Sequence, residues 1–222
     1  MRDSLTVKIV GKRQENSEVA TLYMERPFDF VAGQYISVYV PDSKVREGKA
    51  YSLSSRPSDK LLSITVKDVG GEFSSYICSR KVGDELMISR AYGNFNPLTD
   101  KPLVGITAGC GLSPIWSVMT DEASTQSKTL FFSHKTPKYT VFDQELEQSD
   151  IDEYHFSTRE VVNDRENWQS GRFEVAKIVE QTADDAHFLV CGGIGFVRDV
   201  WQKLTACGVS DERISTETFF ES

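Results

Sequence analysis

Cysteine, histidine and long apolar runs are all scarce in this chain of 222 residues. The four cysteines, Cys78, Cys110, Cys191 and Cys207, stand alone and form no CxxC pair, so neither a zinc site nor an iron–sulfur cluster nor a redox dithiol is expected. No apolar run reaches the roughly 20 residues of a membrane helix, and the N-terminal residues lack the apolar core of a signal peptide. We therefore expect reduced thiols, no bound metal, no membrane insertion and a cytoplasmic location.

An excess of basic residues is also missing, because the formal net charge is −8. Residues 1–100 contain 14 lysines and arginines against 13 acidic residues, whereas residues 101–222 contain 11 against 20. Such a balance argues against nucleic acid as a partner. The change in charge near the middle of the chain indicates two domains, each long enough to bury a core.

What is present between residues 1 and 98 is a succession of short strands separated by turn residues. Apolar Leu62, Ile64 and Val66 alternate with polar neighbours, which is the period of a sheet with one buried face. Several short strands at this spacing predict an N-terminal antiparallel β-barrel, which we assign to residues 1–98. One helix is predicted at Phe73–Cys78, and the predicted strands are Leu5–Val10, Val19–Met24, Gln34–Val40, Leu61–Lys67 and Glu85–Ser89.

Residues 99–222 alternate between apolar strands and helices, which predicts a C-terminal α/β domain with a parallel sheet covered on both faces. Ligands of such sheets bind at the carboxyl ends of the strands. The segment Asn163–Gly171 is predicted to be a flexible loop. The predicted strands are Leu103–Thr107, Thr129–Phe132, Tyr154–Ser157, His187–Cys191 and Ile214–Thr218.

A glycine turn follows the first of these strands, in the stretch Ala108-Gly109-Cys110-Gly111-Leu112-Ser113-Pro114. We predict a strand, a turn and then a helix with Ser113 as N-cap and Pro114 as first helical residue. Free N–H groups at such a helix start favour a diphosphate. A tight turn packed for its own sake is the alternative, since the third position of the usual dinucleotide fingerprint is Pro114 and no acidic residue has the ribose spacing.

Two stretches in the first half of the chain also have residues suited to a ligand that carries a phosphate. Lys49-Ala50-Tyr51-Ser52 brings together an aromatic face, a hydroxyl and a cation, which suits a flat heteroaromatic ligand with a phosphate; an ordinary edge strand is the alternative. Gly70-Gly71-Glu72-Phe73-Ser74 opens a short helix with two glycines, and this is a second turn of the kind that binds a diphosphate.

Taken in order, these motifs resemble the ferredoxin–NADP reductase family of flavoproteins, which includes the reductase modules of oxygenases and flavohaemoglobins. The resemblance covers almost the whole chain. It rests on Ala32-Gly33-Gln34-Tyr35, Lys49–Ser52, Gly70–Ser74, Val82-Gly83-Asp84, Gly93-Asn94-Phe95, Ala108–Pro114, Cys191–Phe196 and Glu217-Thr218-Phe219.

The resemblance implies that the barrel binds FAD. Tyr51 would stack on the flavin, Ser52 would form a hydrogen bond near flavin N5, and Lys49 stands where the family usually has an arginine on the flavin phosphate, without its bidentate geometry. The diphosphate would lie at Gly71, Phe73 and Ser74, with Glu72 turned outward. The cofactor-binding residues implied in this half are Lys49, Tyr51, Ser52, Leu53, Val66, Lys67, Gly71, Glu72, Phe73 and Ser74.

The same resemblance implies a site for NADH or NADPH in the second half, bound by Gly109, Gly111, Ser113 and Pro114. Cys191 and Gly192 would flank the nicotinamide, and Glu217 would lie beside the reacting rings; a buried structural cysteine is the alternative for Cys191. Gly193 replaces a proline common in the family, which would loosen the turn. The implied catalytic residues, acting by position, are Ser52, Cys191 and Glu217, and the candidate cations for a 2′-phosphate are Lys135, Arg159 and Arg172, each of which is equally well explained as a solvated surface charge.

The function implied is that of an FAD-dependent NAD(P)H oxidoreductase. Hydride would pass from nicotinamide C4 to flavin N5, and electrons would pass to a separate acceptor protein such as a ferredoxin, a flavodoxin or an oxygenase component. Two alternatives stay open: a flavin reductase that uses flavin as a diffusing substrate, and a non-catalytic nucleotide-binding module.

Overall fold

The computed structural model describes residues 4–163 and 165–219. Its first sheet is antiparallel and has the strand order β4-β3-β6-β1-β2-β5. Leu53 and Ile64 pair beyond the end of β4, so this sheet curls into a barrel. The strands are β1 (Leu5–Gln14), β2 (Val19–Met24), β3 (Tyr35–Tyr39), β4 (Lys49–Ser52), β5 (Leu62–Lys67) and β6 (Glu85–Ile88), and helix α1 (Glu72–Ser79) lies between β5 and β6.

The barrel core follows from the alternation in the sequence. The inward side chains of β5, Leu62, Ile64 and Val66, are buried with Val7 and Ile9 of β1. Ser63 and Thr65 on the other face are buried as well, so the predicted single buried face is wrong for this strand. The apolar area that the inward side chains remove from water is the main source of the stability of the barrel. The predicted antiparallel barrel is therefore confirmed.

The second sheet is parallel throughout and has the order β10-β9-β8-β7-β11-β12. In chain order, β7 to β10 extend the sheet in one direction, and β11 and β12 extend it in the other direction from β7. This reversal leaves a crevice at the carboxyl ends of β7 and β11. The strands are β7 (Leu103–Ala108), β8 (Lys128–His134), β9 (Asp152–Ser157), β10 (Trp168–Ser170), β11 (His187–Gly193) and β12 (Ile214–Phe219). The helices are α2 (Leu112–Met119), α3 (Asp143–Glu147), α4 (Val175–Glu180) and α5 (Ile194–Ala206).

Apolar side chains cover both faces of this sheet, which confirms the predicted α/β arrangement. One buried cluster includes Leu130 and Phe132, and the other includes Phe131 and Phe188. Helices long and apolar enough to cross a bilayer are absent from the described ranges. The predicted division at residues 98 and 99 falls in the segment between β6 and β7.

The predicted flexible loop at Asn163–Gly171 is wrong in part, because β10 lies within it; Asp164 falls outside the described residues. Trp168 pairs with His155 of β9 and its ring stacks on the His155 imidazole at 4.4 Å between centroids. His155 in turn lies 2.8 Å from His134, nitrogen to nitrogen. This strand of three residues is held by contacts with distant residues, so the local composition does not reveal it.

Candidate functional site

The turn between β7 and α2 is packed closely against β11. The Thr107 hydroxyl donates to the carbonyl oxygen of Cys191 at 2.9 Å. A Cβ atom on Gly111 would lie 2.6 Å from the Cys191 carbonyl carbon and 2.7 Å from Thr107 Oγ1, closer than real Cβ contacts. Only glycine therefore fits between the helix start and β11.

Gly109 faces the opposite way. It is exposed, its φ is +55°, and a Cβ atom built on it has no neighbour within 4 Å. The turn Gly109–Gly111 is a single 3₁₀ turn that leads directly into α2, whose N-terminus has no side-chain cap among the described residues. Unoccupied space above an uncapped helix start is the arrangement that accepts an anion.

The predicted helix start at Ser113 and Pro114 is wrong, since α2 begins at Leu112 with Gly111 as N-cap. Ser113 and Pro114 are both buried, and the Ser113 hydroxyl finds no hydrogen-bond partner among the described residues. The 3₁₀ turn starts the helical path earlier than the capping pattern indicates. Contacts of this turn with a nucleotide are therefore expected at Gly109 rather than at Ser113.

A second uncapped helix start lies in the barrel, at α1. Gly70 has φ +75° with unoccupied space around its Cβ position, and its N–H donates to the Asp68 carboxylate at 2.9 Å. The N–H of Val69 donates to the Ser74 hydroxyl at 3.3 Å. These bonds fix the turn before α1, and no side chain of the described residues caps the helix.

The Lys49 ammonium lies 5.5 Å from the centre of the Phe73 ring, in the first turn of α1. A cation and an uncapped helix N-terminus therefore lie on the same side of the barrel, which is a favourable electrostatic environment for a diphosphate. Glu72, the first residue of α1, is exposed and accepts a hydrogen bond from Ser43 Oγ at 3.1 Å. Tyr51 is half-buried against the barrel core, and burial raises the pKa of its hydroxyl.

Ser52 and Glu217, from the two halves of the chain, are in direct contact. The Ser52 hydroxyl donates to Glu217 Oε1. Burial raises the pKa of the Glu217 carboxyl, and the hydrogen bond from Ser52 offsets part of that rise. Glu217 lies opposite Cys191 in the β11–β12 pairing, and Cys191 lies opposite Thr107 of β7, so the three form a row across the sheet.

This contact borders a cleft of about 300 Å³ between the barrel and β12. Tyr35 lines the cleft and is the pairing partner of Ser52 across β3 and β4. Asn94 lines the same cleft, next to Gly93, whose φ is +105°. Tyr35 and Asn94 were not among the sequence-predicted site residues, although both stand in motifs that carry the family resemblance.

Several predicted site residues have buried side chains. Leu53 and Val66 lie in the barrel core, and Cys191 is fully buried in the core of the α/β half, where burial raises the pKa of its thiol. Contacts of Leu53 and Val66 with a cofactor would have to use their backbone. Gly193 has φ −61° and ψ 148°, values that proline also adopts, so the backbone there keeps the geometry without a proline ring.

The candidate cations lie in different surroundings. Arg159 and Arg172 are exposed. The side chain of Lys135, which follows β8, lies across the domain boundary, with its ammonium 3.5 Å from Glu18 Oε2 in the barrel. Lys67 Nζ lies 3.0 Å from the same oxygen. Glu18 is a further residue that the sequence reading missed, and a lone acidic residue in a turn carries no signal that would have revealed it.

One buried hydroxyl connects the segment after β4 with α2. Ser117 of α2 donates from Oγ to the carbonyl oxygen of Ser55 at 2.7 Å, and Gly33 N–H donates to the same hydroxyl at 3.4 Å. The hydrophobic cluster around α2 also includes Val19 and Phe95 of the barrel half. The two candidate diphosphate turns are therefore held in one packed body.

Comparison with known proteins matches residues 106–202 to the family model of the oxidoreductase NAD-binding domain. Flavohemoproteins of Rhizobium meliloti (strain 1021) and Bacillus subtilis (strain 168) are each 29% identical to the chain. These alignments cover 95% of this chain and 59% and 58% of the two relatives. The chain thus spans about three fifths of the length of the curated relatives it matches.

Solved structures agree over the whole length of the chain. The flavohem-like FAD/NAD binding domain of nitric oxide dioxygenase from Vibrio cholerae O1 biovar El Tor has a TM-score of 0.86 and 26% identity, and the match covers 99% of this chain and 100% of that one. A ferredoxin NADP+ reductase from Neisseria gonorrhoeae with bound FAD and NADP shares the fold, with a TM-score of 0.82, 20% identity and coverage of 97% and 98%.

Proposed function

We propose that this chain, which is similar to the ferredoxin–NADP reductase-like flavoproteins in its motifs and its fold, is an FAD-containing NAD(P)H oxidoreductase that supplies electrons to a separate acceptor protein. The observation that carries the proposal is the contact between Ser52 and Glu217. This contact joins β4, which contains Lys49 and Tyr51, to the row formed by Glu217, Cys191 and Thr107 across the parallel sheet. That row lies beside the Gly109 turn. A flavin held by the barrel and a nicotinamide held by the sheet would meet there.

The residues around the two turns fit the two cofactors. Lys49 and the uncapped N-terminus of α1 would bind the FAD diphosphate, and the exposed backbone at Gly109 would bind the diphosphate of the pyridine nucleotide. Bound FAD supplies the chemistry, since its N5 accepts hydride from nicotinamide and its reduced form releases electrons singly. The protein contributes the relative position of the two binding sites.

Ser52 and Glu217 would act where the flavin ring meets the nicotinamide ring. The Ser52 hydroxyl is oriented by Glu217, and both side chains are largely shielded from water. A carboxylate next to the nicotinamide stabilises the positive charge that the ring gains when hydride leaves. Holding the reacting atoms within roughly 3–3.5 Å is the larger contribution, because such positioning replaces a diffusional encounter.

The acceptor belongs to the same proposal. Among the structural relatives, one is named as a cytochrome P450 reductase of Amycolatopsis and another as a ferredoxin NADP+ reductase, so proteins of this fold pair with different acceptors. We assign this chain a separate protein acceptor of the ferredoxin, flavodoxin or oxygenase-component class. Catalysis of this kind suits the cytoplasmic location expected from the composition.

Retention of FAD tests whether flavin is a bound cofactor. We expect the purified protein, loaded with FAD, to keep its flavin absorbance through gel filtration. Lys49→Glu should lower FAD affinity by about tenfold or more, because it reverses the charge beside the α1 N-terminus. Lys60→Glu, an exposed position between β4 and β5, is the matched control and should bind FAD like the wild type.

Loss of flavin from the wild-type protein during filtration, together with turnover of added free flavin, would instead indicate a flavin reductase. Equal FAD affinity in Lys49→Glu and wild type would remove Lys49 from the diphosphate site.

A further inference from the structure

Glu18 is bonded to lysines from both halves of the chain. Its Oε2 atom lies 3.0 Å from Lys67 Nζ, at the end of β5, and 3.5 Å from Lys135 Nζ, just after β8. The backbone of Glu18 is fixed as well, because its N–H donates to Asn16 Oδ1 at 3.0 Å and its carbonyl oxygen accepts from Asp68 N–H at 2.8 Å. One oxygen of the Glu18 carboxylate thus pairs with the ammonium groups of both lysines, and the backbone hydrogen bonds of Glu18 fix its position.

The trio lies next to the proposed nucleotide site. Lys67 is the last residue of β5, and this strand is in contact with the glycine turn Gly109–Gly111. Lys135 directly follows the second strand of the parallel sheet, and its carbonyl oxygen accepts a hydrogen bond from Arg159 N–H at 2.9 Å. In sheets of this kind the group after the second strand contacts the adenosine ribose of a dinucleotide.

The charges of the trio bear on the one chemical difference between NADH and NADPH. A 2′-phosphate adds close to two negative charges, and a lysine that follows the second strand is a suitable partner for it. Here Lys135 already has a carboxylate partner, and that carboxylate would face the incoming phosphate. The side chains of all three residues are between 31% and 40% exposed, so the interaction is weakened but not abolished by water.

We propose that Glu18, a residue of the barrel, sets the nucleotide preference of the neighbouring sheet: it pairs with Lys135, repels a 2′-phosphate and makes NADH the preferred donor. The inference rests on the proposed oxidoreductase function. It assigns a specificity role to a contact across the two halves of the chain rather than to the nucleotide-binding half alone. Without Glu18, a phosphate would take its place as the counterion of Lys67 and Lys135.

The test is the variant Glu18→Gln, which keeps the size of the side chain and removes its charge. We expect the KM for NADPH to fall about three- to tenfold while the KM for NADH stays nearly constant. Glu25→Gln is the matched control, because Glu25 lies at the other end of β2, roughly 20 Å away by strand rise, and accepts a bond from Lys8 N–H. It should leave both constants unchanged.

A binding measurement that needs no turnover makes the test independent of catalysis. By calorimetry, Glu18→Gln should bind adenosine 2′,5′-bisphosphate about three- to tenfold more tightly than the wild type, with 5′-AMP little affected. The double variant Glu18→Gln/Lys135→Gln should lose that gain. The gain should also shrink at roughly 0.5 M salt, since the charges are partly exposed.

Equal changes for both adenosine ligands, or weaker binding of the bisphosphate in Glu18→Gln, would overturn the proposal. Failure of the oxidoreductase function would look different. In that case the wild type would hold FAD without being reduced by either nucleotide, whereas the comparison of the two adenosine ligands would still report on Glu18.

Discussion

Replacing Gly111 by alanine is expected to lower the free energy of unfolding by about 3 kcal/mol and to weaken nucleotide binding more than tenfold. The backbone conformation is not the reason, because Gly111 has φ −60° and ψ −14°, which alanine adopts freely. The reason is space: the added Cβ would lie 2.6 Å from the carbonyl carbon of Cys191. Since that atom belongs to a central strand, the whole turn has to move outward.

Gly195→Ala is the matched control for this substitution. Gly195 lies in α5, and a Cβ atom there has no neighbour within 4 Å. Alanine in a helix is favoured over glycine by up to about 1 kcal/mol, so this variant should be as stable as the wild type or more stable. Urea unfolding of both variants checks the effect on stability, and nucleotide titration of Gly111→Ala against the wild type checks the effect on binding. A Gly111→Ala protein with wild-type stability would show that the turn is not packed as described.

Removing the charge of Glu217 is expected to slow the reduction of bound FAD by NADH about 10- to 100-fold, with FAD binding retained. Glu217→Gln keeps the shape of the side chain and can still accept the hydrogen bond of Ser52. What it loses is the negative charge next to the proposed nicotinamide position. Stopped-flow absorbance under anaerobic conditions measures the rate, and Glu212→Gln, exposed in the turn before β12, is the control.

The pH dependence of this variant separates a chemical role from a structural one. Burial raises the pKa of Glu217, so in the wild type the rate of flavin reduction should increase as the pH rises through that pKa and the carboxylate forms. The rate of Glu217→Gln should lack this step. A pH profile of the same shape in both proteins would remove Glu217 from the reaction.

The contribution of Glu217 to the free energy of unfolding decreases as the pH rises, whereas the rate of flavin reduction increases. Because the folded-state pKa of Glu217 is above that of the unfolded chain, its protonated form favours folding. This contribution is complete below the unfolded pKa of about 4.3 and is lost as the pH rises through the folded-state pKa. Glu217→Gln should therefore become more stable relative to the wild type as the pH increases over that range.

The elements and turns of this protein could be predicted from local patterns. The alternation in Leu62–Lys67 reports which side chains face the barrel core, and the bounds predicted for β2, Val19–Met24, are those of the structure. The glycines at residues 70, 109 and 111 mark the two turns, because a positive φ at residues 70 and 109 and a close approach at residue 111 favour glycine. Such features depend on neighbours in the sequence.

The rest could not be predicted because it depends on contacts between distant residues. Ser113 has the composition of an N-cap, yet tertiary packing starts α2 earlier and buries its hydroxyl without a partner among the described residues. Trp168 looks like part of a loop until its stacking on His155 is known. Glu18 acquires a role only because the fold brings Lys67 and Lys135 to the same oxygen.

The central claim is that hydride passes to FAD where Ser52 meets Glu217. The most direct measurement is the absorbance spectrum of the FAD-loaded protein before and after anaerobic addition of NADH, with NADPH added to a second sample. We expect NADH to bleach the flavin bands promptly and air to restore them. Bound FAD that neither nucleotide reduces would contradict the account and would leave a nucleotide-binding module without this chemistry.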